Sequence, residues 1–172
     1  SKMAAVLGAL DTEHQALAAC SHPLLGAATL NVGTIHGGEQ INFVPDRCEI
    51  AIDRRLLPGE EPLAVWEGYA RLAAELNCEI DPPMIADSAF ETDPQDAVAR
   101  VAGRVLQEMG RSAEAVGVPF GSDASKLSRR GVPSIIFGPG SIDRAHAAVE
   151  YVECDQVLEA EAFYRRFIEE FE

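Results

Sequence analysis

Apolar positions along the chain follow two periods, one typical of helices and the other typical of strands. Apolar residues three or four positions apart predict helices at 2–20, 62–76, 94–109 and 157–171, and a shorter helix that ends at Gly131. Alternation of apolar and polar residues predicts strands at 29–36 and 48–55, and a short strand is expected around 78–85. The uninterrupted apolar run at 132–137 is typical of a strand buried on both faces.

The order of these elements predicts two domains of mixed α and β structure. Residues 1–89 read helix, strand, strand, helix, strand, which is most of a ferredoxin-like plait (βαββαβ) without its first strand. Residues 90–172 read helix, strand, loop, helix. The proline-containing segment 82–92 is a weak linker between them. A chain of 172 residues is long enough to bury a core without disulfide bonds.

Composition narrows the choice of partners and compartment. The chain has 14 Lys and Arg against 28 Asp and Glu, a formal net charge of −14, so we expect neither nucleic acid nor an anionic membrane as a partner. The four cysteines are widely separated and include no C-x-x-C pair, which predicts reduced, mostly buried thiols in a cytoplasmic protein. No apolar run has the length of a membrane span, and no signal-peptide layout is seen.

Ser122, Asp123 and His146 could in principle form the triad of a serine hydrolase. A serine nucleophile needs a base beside it and an acid behind that base. The residues around Ser122 lack the G-x-S-x-G turn of such enzymes, and Asp123 fits better as an acidic residue at the start of the following helix. The serine hydrolase is therefore the weakest of the enzymatic interpretations.

Two further groups of residues could bind ligands. The glycine loop at 138–141 follows the predicted buried strand, where backbone N–H groups can bind an anion, although a plain turn explains it equally well. His146, Glu150 and Glu153 offer an imidazole and two carboxylates, which are metal ligands. By spacing alone, a single histidine in a loop is more often a solvated residue.

The sequence resembles the M20 zinc metallopeptidases over nearly its whole length. Three segments resemble the dimerisation (lid) domain of that family: Leu30–Gly38, Asn42–Cys48 and Ile52–Glu60. Four later segments resemble the end of the family's catalytic domain: Gly121–Leu127, Val132–Ser141, Ala145–His146 and Glu150–Val152. They come in the family's order, and the branch of acetylornithine deacetylase and succinyl-diaminopimelate desuccinylase is the most similar.

The resemblance implies a fold and a chemistry. It implies a lid domain at 1–89 joined to the C-terminal strand–helix segment of an α/β zinc-hydrolase core at 90–172, and a homodimer formed through the lid. It further implies hydrolysis of the acyl amide of a small N-acyl amino acid by a pair of zinc ions that activate water.

The resemblance also assigns roles to single residues. His146 matches the last metal ligand of the family. Asn42 and Arg55 match lid residues that bind substrate, and Arg55 would hold a substrate carboxylate with its bidentate fork. Four residues match the wall of the substrate site: Gly121, Ser122, Gly140 and Ser141.

The family's remaining metal ligands and its general base have no match in this sequence. One histidine cannot hold a catalytic zinc, which needs about three protein ligands. We therefore expect a C-terminal fragment that is inactive alone. The alternative is a non-catalytic dimerisation or interaction module derived from the same fold. His36 is interpreted as a strand-end residue, because the family's transition-state histidine belongs to a segment that has no match here.

Overall fold

The structure, a computed structural model, describes residues 2–171. These residues form two compact units. Unit 1 contains the residues up to Phe90 together with Gly117–Gly121, and unit 2 contains Glu91–Val116 and the residues from Ser122 onward. Each unit has its own small apolar cluster.

Unit 1 consists of two helices and two antiparallel strand pairs. The elements are α1 (Lys2–Leu17), β1 (Ser21–His22), β2 (Gly26–Ala27), β3 (Thr29–Gly37), β4 (Cys48–Arg55) and α2 (Pro62–Glu75). β1 pairs with β2, and β3 pairs with β4. The mixed α and β composition and the four main predicted elements are confirmed, with α1 ending at Leu17 rather than at residue 20.

A β-bulge interrupts the ladder between β3 and β4. Val32 pairs with Ile52 and Thr34 pairs with Ala51, so Gly33 is the extra residue. An extra residue shifts the side-chain alternation of the bulged strand by one position. Because of this shift, Ile35 lies opposite Ile50 in the ladder. The simple alternation predicted for 29–36 is therefore wrong beyond Gly33.

The core of unit 1 lies between the two helices and one face of the β3–β4 sheet. Leu10 of α1, Leu30 of β3 and Tyr69 of α2 are its buried members. Partly buried apolar residues pack around them: Val6, Leu17, Val32, Ile50, Ile52, Val65, Leu72 and Ile80. Since both helices cover the same face, the opposite face of the sheet stays exposed and carries polar side chains.

A buried polar cluster joins the end of β4 to the start of α2. The Arg54 side chain is only 9% exposed and forms an ion pair with Glu60, whose second carboxylate oxygen accepts the Leu57 N–H at 2.6 Å. Burial raises the pKa of the neighbouring Tyr69 phenol, and the Arg54 charge opposes that rise. The Tyr69 hydroxyl has no hydrogen-bond partner in the part of the chain that the structure describes.

Unit 2 contains three helices and a single 3₁₀ turn. They are α3 (Ala97–Glu108), α4 (Ala124–Ser128), the 3₁₀ turn Ile142–Arg144 and α5 (Cys154–Glu170). Helix α3 begins later than predicted, because the Asp93 carboxylate accepts the Gln95 N–H at 2.8 Å and holds that segment as a turn. The predicted end of α3 is confirmed: Gly110 has a φ of 70° and closes the helix.

The core of unit 2 lies where α3 meets α5. Ala102 and Val105 of α3 and Phe163 of α5 are buried together. The Phe163 ring stacks on Phe137 at a centroid distance of 3.9 Å and on Phe167 at 5.7 Å. The apolar stripes predicted for both helices therefore meet each other.

Two predicted strands do not form. Residues 78–85 contain Pro82 and Pro83, which have no N–H to donate, and neither this segment nor 132–137 pairs with a strand within residues 2–171. In 132–137, Phe137 packs on the core of unit 2, but Val132 is 48% and Ile136 40% exposed. Burial on both faces is thus wrong for this run, because a strand needs ladder partners and covering layers that are not among the described residues.

Apolar burial is more limited than the length of the chain predicts. Few apolar residues of the described part of the chain are buried: Leu10, Ala28, Leu30, Tyr69, Ala102, Val105, Ala160 and Phe163. The four cysteines are free, but three are exposed and Cys78 is half-buried, so the expectation of mostly buried thiols is wrong. Among residues 2–171, no helix is both long and apolar enough to cross a membrane.

Candidate functional site

The candidate site residues are divided between the two units. Unit 1 contains Asn42, Arg55 and Gly121, and unit 2 contains Ser122, Gly140, Ser141 and His146.

Arg55 ends β4 on the exposed polar face of the sheet. Its guanidinium already holds a carboxylate: Nε lies 2.8 Å from Asp53 Oδ1, and Nη2 lies 2.9 Å from Asp53 Oδ2. The Arg55 side chain is 58% exposed to solvent and the Asp53 side chain is 50% exposed. A bidentate pair with this exposure contributes at most about 1 kcal/mol, so a competing carboxylate can displace Asp53 at little cost.

The backbone next to Arg55 is held from the opposite side of the sheet. The Arg54 guanidinium donates to the Arg55 carbonyl oxygen and binds Glu60. Because consecutive strand residues point to opposite faces, Arg54 is buried while Arg55 is presented to solvent. At the end of β4, the Arg54 guanidinium is therefore buried in an ion pair, whereas the Arg55 guanidinium is exposed and accessible to a ligand.

Asn42 lies in the exposed loop between β3 and β4. The Phe43 N–H donates to the Gln40 carbonyl at 3.2 Å and closes a turn there. The residues beside Asn42 are apolar and exposed, Ile41 at 107% and Val44 at 94%. His36 is exposed, is the next-to-last residue of β3 and lies opposite Glu49, which agrees with its interpretation as a strand-end residue.

Ser122 shapes the start of α4. Its carbonyl oxygen accepts the Ser125 hydroxyl at 3.0 Å and the Ser125 N–H at 3.1 Å, and its own hydroxyl accepts the Ala124 N–H at 3.3 Å. Ser122 is half-buried, whereas the preceding Gly121 is exposed. Ser122 is thus positioned by the turn that enters the helix.

The serine hydrolase interpretation fails on the hydrogen bonds of its three residues. The Asp123 carboxylate binds the Lys126 ammonium at 2.7 Å, and this hydrogen bond lowers the pKa of the carboxyl group. No hydrogen bond joins Ser122 or Asp123 to His146 in the described structure. A triad needs the acid to hold the base and the base to contact the nucleophile, and neither contact is made.

The Gly138–Ser141 loop is ordered by hydrogen bonds of its own. Gly140 has a φ of 93°, and its N–H donates to Gln156 Oε1 of α5 at 2.8 Å. The Ser141 hydroxyl caps the 3₁₀ turn by accepting the Asp143 N–H at 3.3 Å. The anion-binding interpretation of this loop is therefore wrong for Gly140, because its N–H is already bonded.

His146 has an unusual backbone conformation in the loop that follows. Its φ of 60° lies in the left-handed region, which a side chain with a Cβ rarely adopts and which is enriched at functional sites. Its side chain is exposed. Within residues 2–171 no three His, Cys, Asp or Glu side chains come together to hold a metal, so the candidate grouping of His146 with Glu150 and Glu153 does not form, and the exposed side chain agrees with the solvated histidine favoured by spacing.

Two residues next to the candidate site were not singled out from the sequence. Asp53 shares a strand face with Arg55, two residues away, and this spacing alone could have identified the pair. Gln156 lies four and eight residues before Ala160 and Tyr164, which places all three on one face of α5, whereas the predicted helix began only at residue 157. The signal was present, but the bonding partner of Gln156 lies 16 residues away in the chain.

Comparison with protein families and curated proteins gives consistent results. Residues 1–80 match the peptidase dimerisation domain. The acetylornithine deacetylase of Myxococcus xanthus is 30% identical over 148 residues, which cover 83% of this chain and 38% of that protein. The acetylornithine deacetylase of Edwardsiella ictaluri is 29% identical and covers 83% of this chain and 37% of that protein. The chain thus spans less than two fifths of the length of these curated relatives.

Solved structures with a similar fold include two peptidases. The aminopeptidase PepT of Bacillus cereus has a TM-score of 0.67 and 25% identity, covering 93% of this chain and 45% of that one. A metallo-carboxypeptidase of Sulfolobus solfataricus has a TM-score of 0.66 and 20% identity, covering 94% and 42% respectively, and supports the fold alone.

Proposed function

The chain belongs to the M20 peptidase family, and on that premise we propose that it is part of a zinc-dependent amidohydrolase that removes the acyl group of an N-acyl amino acid. Unit 1 serves as the lid and dimerisation domain, and unit 2 is part of the catalytic domain. Asn42 and Arg55 bind the substrate from the lid. The free thiols favour a reducing compartment such as the cytoplasm.

The observation that carries this proposal is the state of Arg55. A guanidinium that binds an intrachain carboxylate through two parallel N–H···O bonds has the geometry that a substrate carboxylate requires. The pair is exposed, and the Arg54–Glu60 cluster below fixes the strand end that presents it. An N-acyl amino acid carries one carboxylate, which can take the place of Asp53.

The residues present do not fit a catalytic zinc centre. Such a centre needs about three protein ligands, and the described residues bring no such group together. We assign no metal-dependent step to this chain. We propose that His146 supplies one ligand to a zinc centre and that the other ligands of this centre are not among the described residues. The chain alone is therefore inactive.

The proposed role of Arg55 is tested by titrating the chain with N-acetyl-L-ornithine and following the Arg Nε–H signals by NMR. We expect Arg55→Gln to weaken binding up to about fivefold, since a charged, bidentate contact at this exposure contributes at most about 1 kcal/mol. The same samples, supplied with zinc, should hydrolyse no N-acetyl-L-ornithine above the buffer rate.

Arg47→Gln is the matched control, because Arg47 is also exposed and paired with a carboxylate two residues away, that of Glu49. It should leave the binding constant within about twofold. An equal loss of affinity in the two variants would show that the ligand is attracted to any exposed arginine and would contradict a specific role of Arg55. Zinc-dependent turnover by the 172-residue chain would contradict its proposed inactivity.

The match to a dimerisation domain favours a second role for unit 1, the formation of a homodimer. Each of β3 and β4 pairs on one side only within the described residues, which leaves an unpaired edge on each strand. Such edges pair readily with a strand of another chain. This role would also suffice for the alternative function, a non-catalytic interaction module.

Sedimentation velocity over a concentration series tests the homodimer. We expect a reversible monomer–dimer equilibrium, because the unpaired edges and the exposed apolar side chains of the β3–β4 loop both favour self-association. A single monomeric species at every concentration up to the millimolar range would rule out dimerisation through unit 1.

A further inference from the structure

One face of α5 lies against the Gly138–Ser141 loop. Gln156, Ala160 and Tyr164 are spaced four residues apart and share this face. Ala160 is 6% exposed, and its small side chain lets the loop approach the helix closely. Pro139 of the loop lines a shallow apolar groove together with Ala160 and Tyr164.

Two side chains of this helix face bond the backbone on either side of Gly138 and Pro139. The Tyr164 hydroxyl donates to the Phe137 carbonyl oxygen at 2.7 Å. The Gly140 N–H donates to Gln156 Oε1 at 2.8 Å. The backbone is therefore bonded to α5 at Phe137, just before the loop, and at Gly140, within it. The donor, Tyr164, and the acceptor, Gln156, are about two helical turns apart on α5.

The conformation held in this way is one that needs support. Gly140 has a φ of 93°, and a Cβ at this position would lie 3.3 Å from Val152 Cγ2. Without a hydrogen bond to hold it, the Gly140 backbone could adopt several conformations, because glycine has no Cβ to restrict its φ and ψ angles. Bonds at Phe137 and Gly140 restrict that freedom.

We infer that Gln156 and Tyr164 are positioning residues that hold Gly140 and Ser141 in the conformation that receives the substrate. This inference rests on the proposed function and on the further proposal, which the resemblance to the M20 family implies, that Gly140 and Ser141 line the wall of the substrate site. Neither side chain touches the substrate in this account. Each acts on the loop backbone, and Ser141 is held further by its bond to the Asp143 N–H.

The test uses the ¹⁵N-labelled 172-residue chain and three variants. Gln156→Met keeps the length of the side chain but has no carbonyl oxygen, Gln156→Glu keeps an oxygen acceptor, and Tyr164→Phe removes only the hydroxyl group. Hydrogen exchange of the Gly140 amide should be about fivefold faster in Gln156→Met and nearly unchanged in Gln156→Glu. Titration with N-acetyl-L-ornithine should shift the Gly140 and Ser141 amides in the wild type, and these shifts should need about fivefold more ligand in Gln156→Met and in Tyr164→Phe.

The outcomes separate this inference from the function on which it rests. Recovery of both exchange and binding in Gln156→Glu supports a positioning role, because a purely structural effect of losing the glutamine would not be rescued by a charged side chain. Wild-type exchange and binding in Gln156→Met would overturn the inference and leave the proposed function intact. Absence of any ligand-induced shift at Gly140 and Ser141 in the wild type would overturn both.

Discussion

Replacing Phe163 with alanine should destabilise unit 2 by about 3–5 kcal/mol, the cost typical of deleting a buried phenyl ring. Phe163 is 2% exposed and touches both α3 and the 132–137 run, so no neighbour can move in to fill the space without breaking another contact. Hydrogen exchange of the α3 and α5 amides measures the loss directly, since protection in a packed helix pair reports the local free energy of opening.

Phe171→Ala is the matched control, because it removes the same ring from the end of the same aromatic row. Phe171 is 47% exposed and contacts Phe167 at a centroid distance of 5.3 Å. Its loss should cost less than about 1 kcal/mol. Similar losses of protection in the two variants would mean that the α3–α5 contact is not the core of unit 2.

Replacing Glu60 with alanine should lower the stability of unit 1 by about 2–3 kcal/mol. The change leaves the Arg54 guanidinium buried without its carboxylate and removes the acceptor of the Leu57 N–H. The value lies below that of a fully buried pair because Glu60 is 29% exposed. Trp66, the only tryptophan, lies in α2 and reports unfolding of this unit through its fluorescence in urea.

Glu49→Ala breaks an ion pair of the same chemistry on the exposed side of β4. Its partner Arg47 is 79% exposed, so the urea midpoint of the Trp66 fluorescence transition should stay close to that of the wild type. Glu60→Gln, which keeps a neutral acceptor for Leu57, should fall between the two. If Glu60→Ala costs no more than Glu49→Ala, the cluster at the end of β4 is not what stabilises this region.

Elements with a local cause were predictable from the sequence. Helix α2 starts at Pro62 because proline is favoured in a first helical turn, and α3 ends at Gly110 because glycine adopts a positive φ without strain. The positions of β3 and β4 followed from the alternation of apolar and polar residues, which holds in β3 as far as Gly33. Each of these signals depends only on residues that are neighbours in the chain.

Elements whose cause is non-local were predicted poorly. The run at 132–137 has the composition of a buried strand, yet a strand forms only when another backbone accepts and donates its hydrogen bonds. The bulge at Gly33 likewise depends on the partner strand, since the extra residue is defined only by the pairing of Val32 with Ile52 and Thr34 with Ala51. The composition of a segment therefore shows that it could form a strand, but the backbone beside it in the fold determines whether it does.

The candidate site shows the same division. The exposed face of β4, with Asp53 and Arg55 on it, follows from the two-residue period of a strand and needs no structure. The fork of Arg55 on Asp53 and the burial of Arg54 beneath it depend on the turn that brings Glu60 back to β4. The hydrogen bond from Gly140 to Gln156 joins residues 16 positions apart. The serine triad fails for a local reason, because the Asp123 carboxylate binds Lys126, three residues further along the chain.

The order of helices and strands, the polar and apolar faces and the family follow from the amino-acid sequence, because they depend on short-range periodicity and on motifs that are continuous in the chain. The pairing register, the extent of burial and the partners of Arg54 and Gly140 required the folded chain. Hydrogen bonds and packing contacts operate over a few ångströms in space, and residues far apart in the sequence come within that range only once the chain has folded.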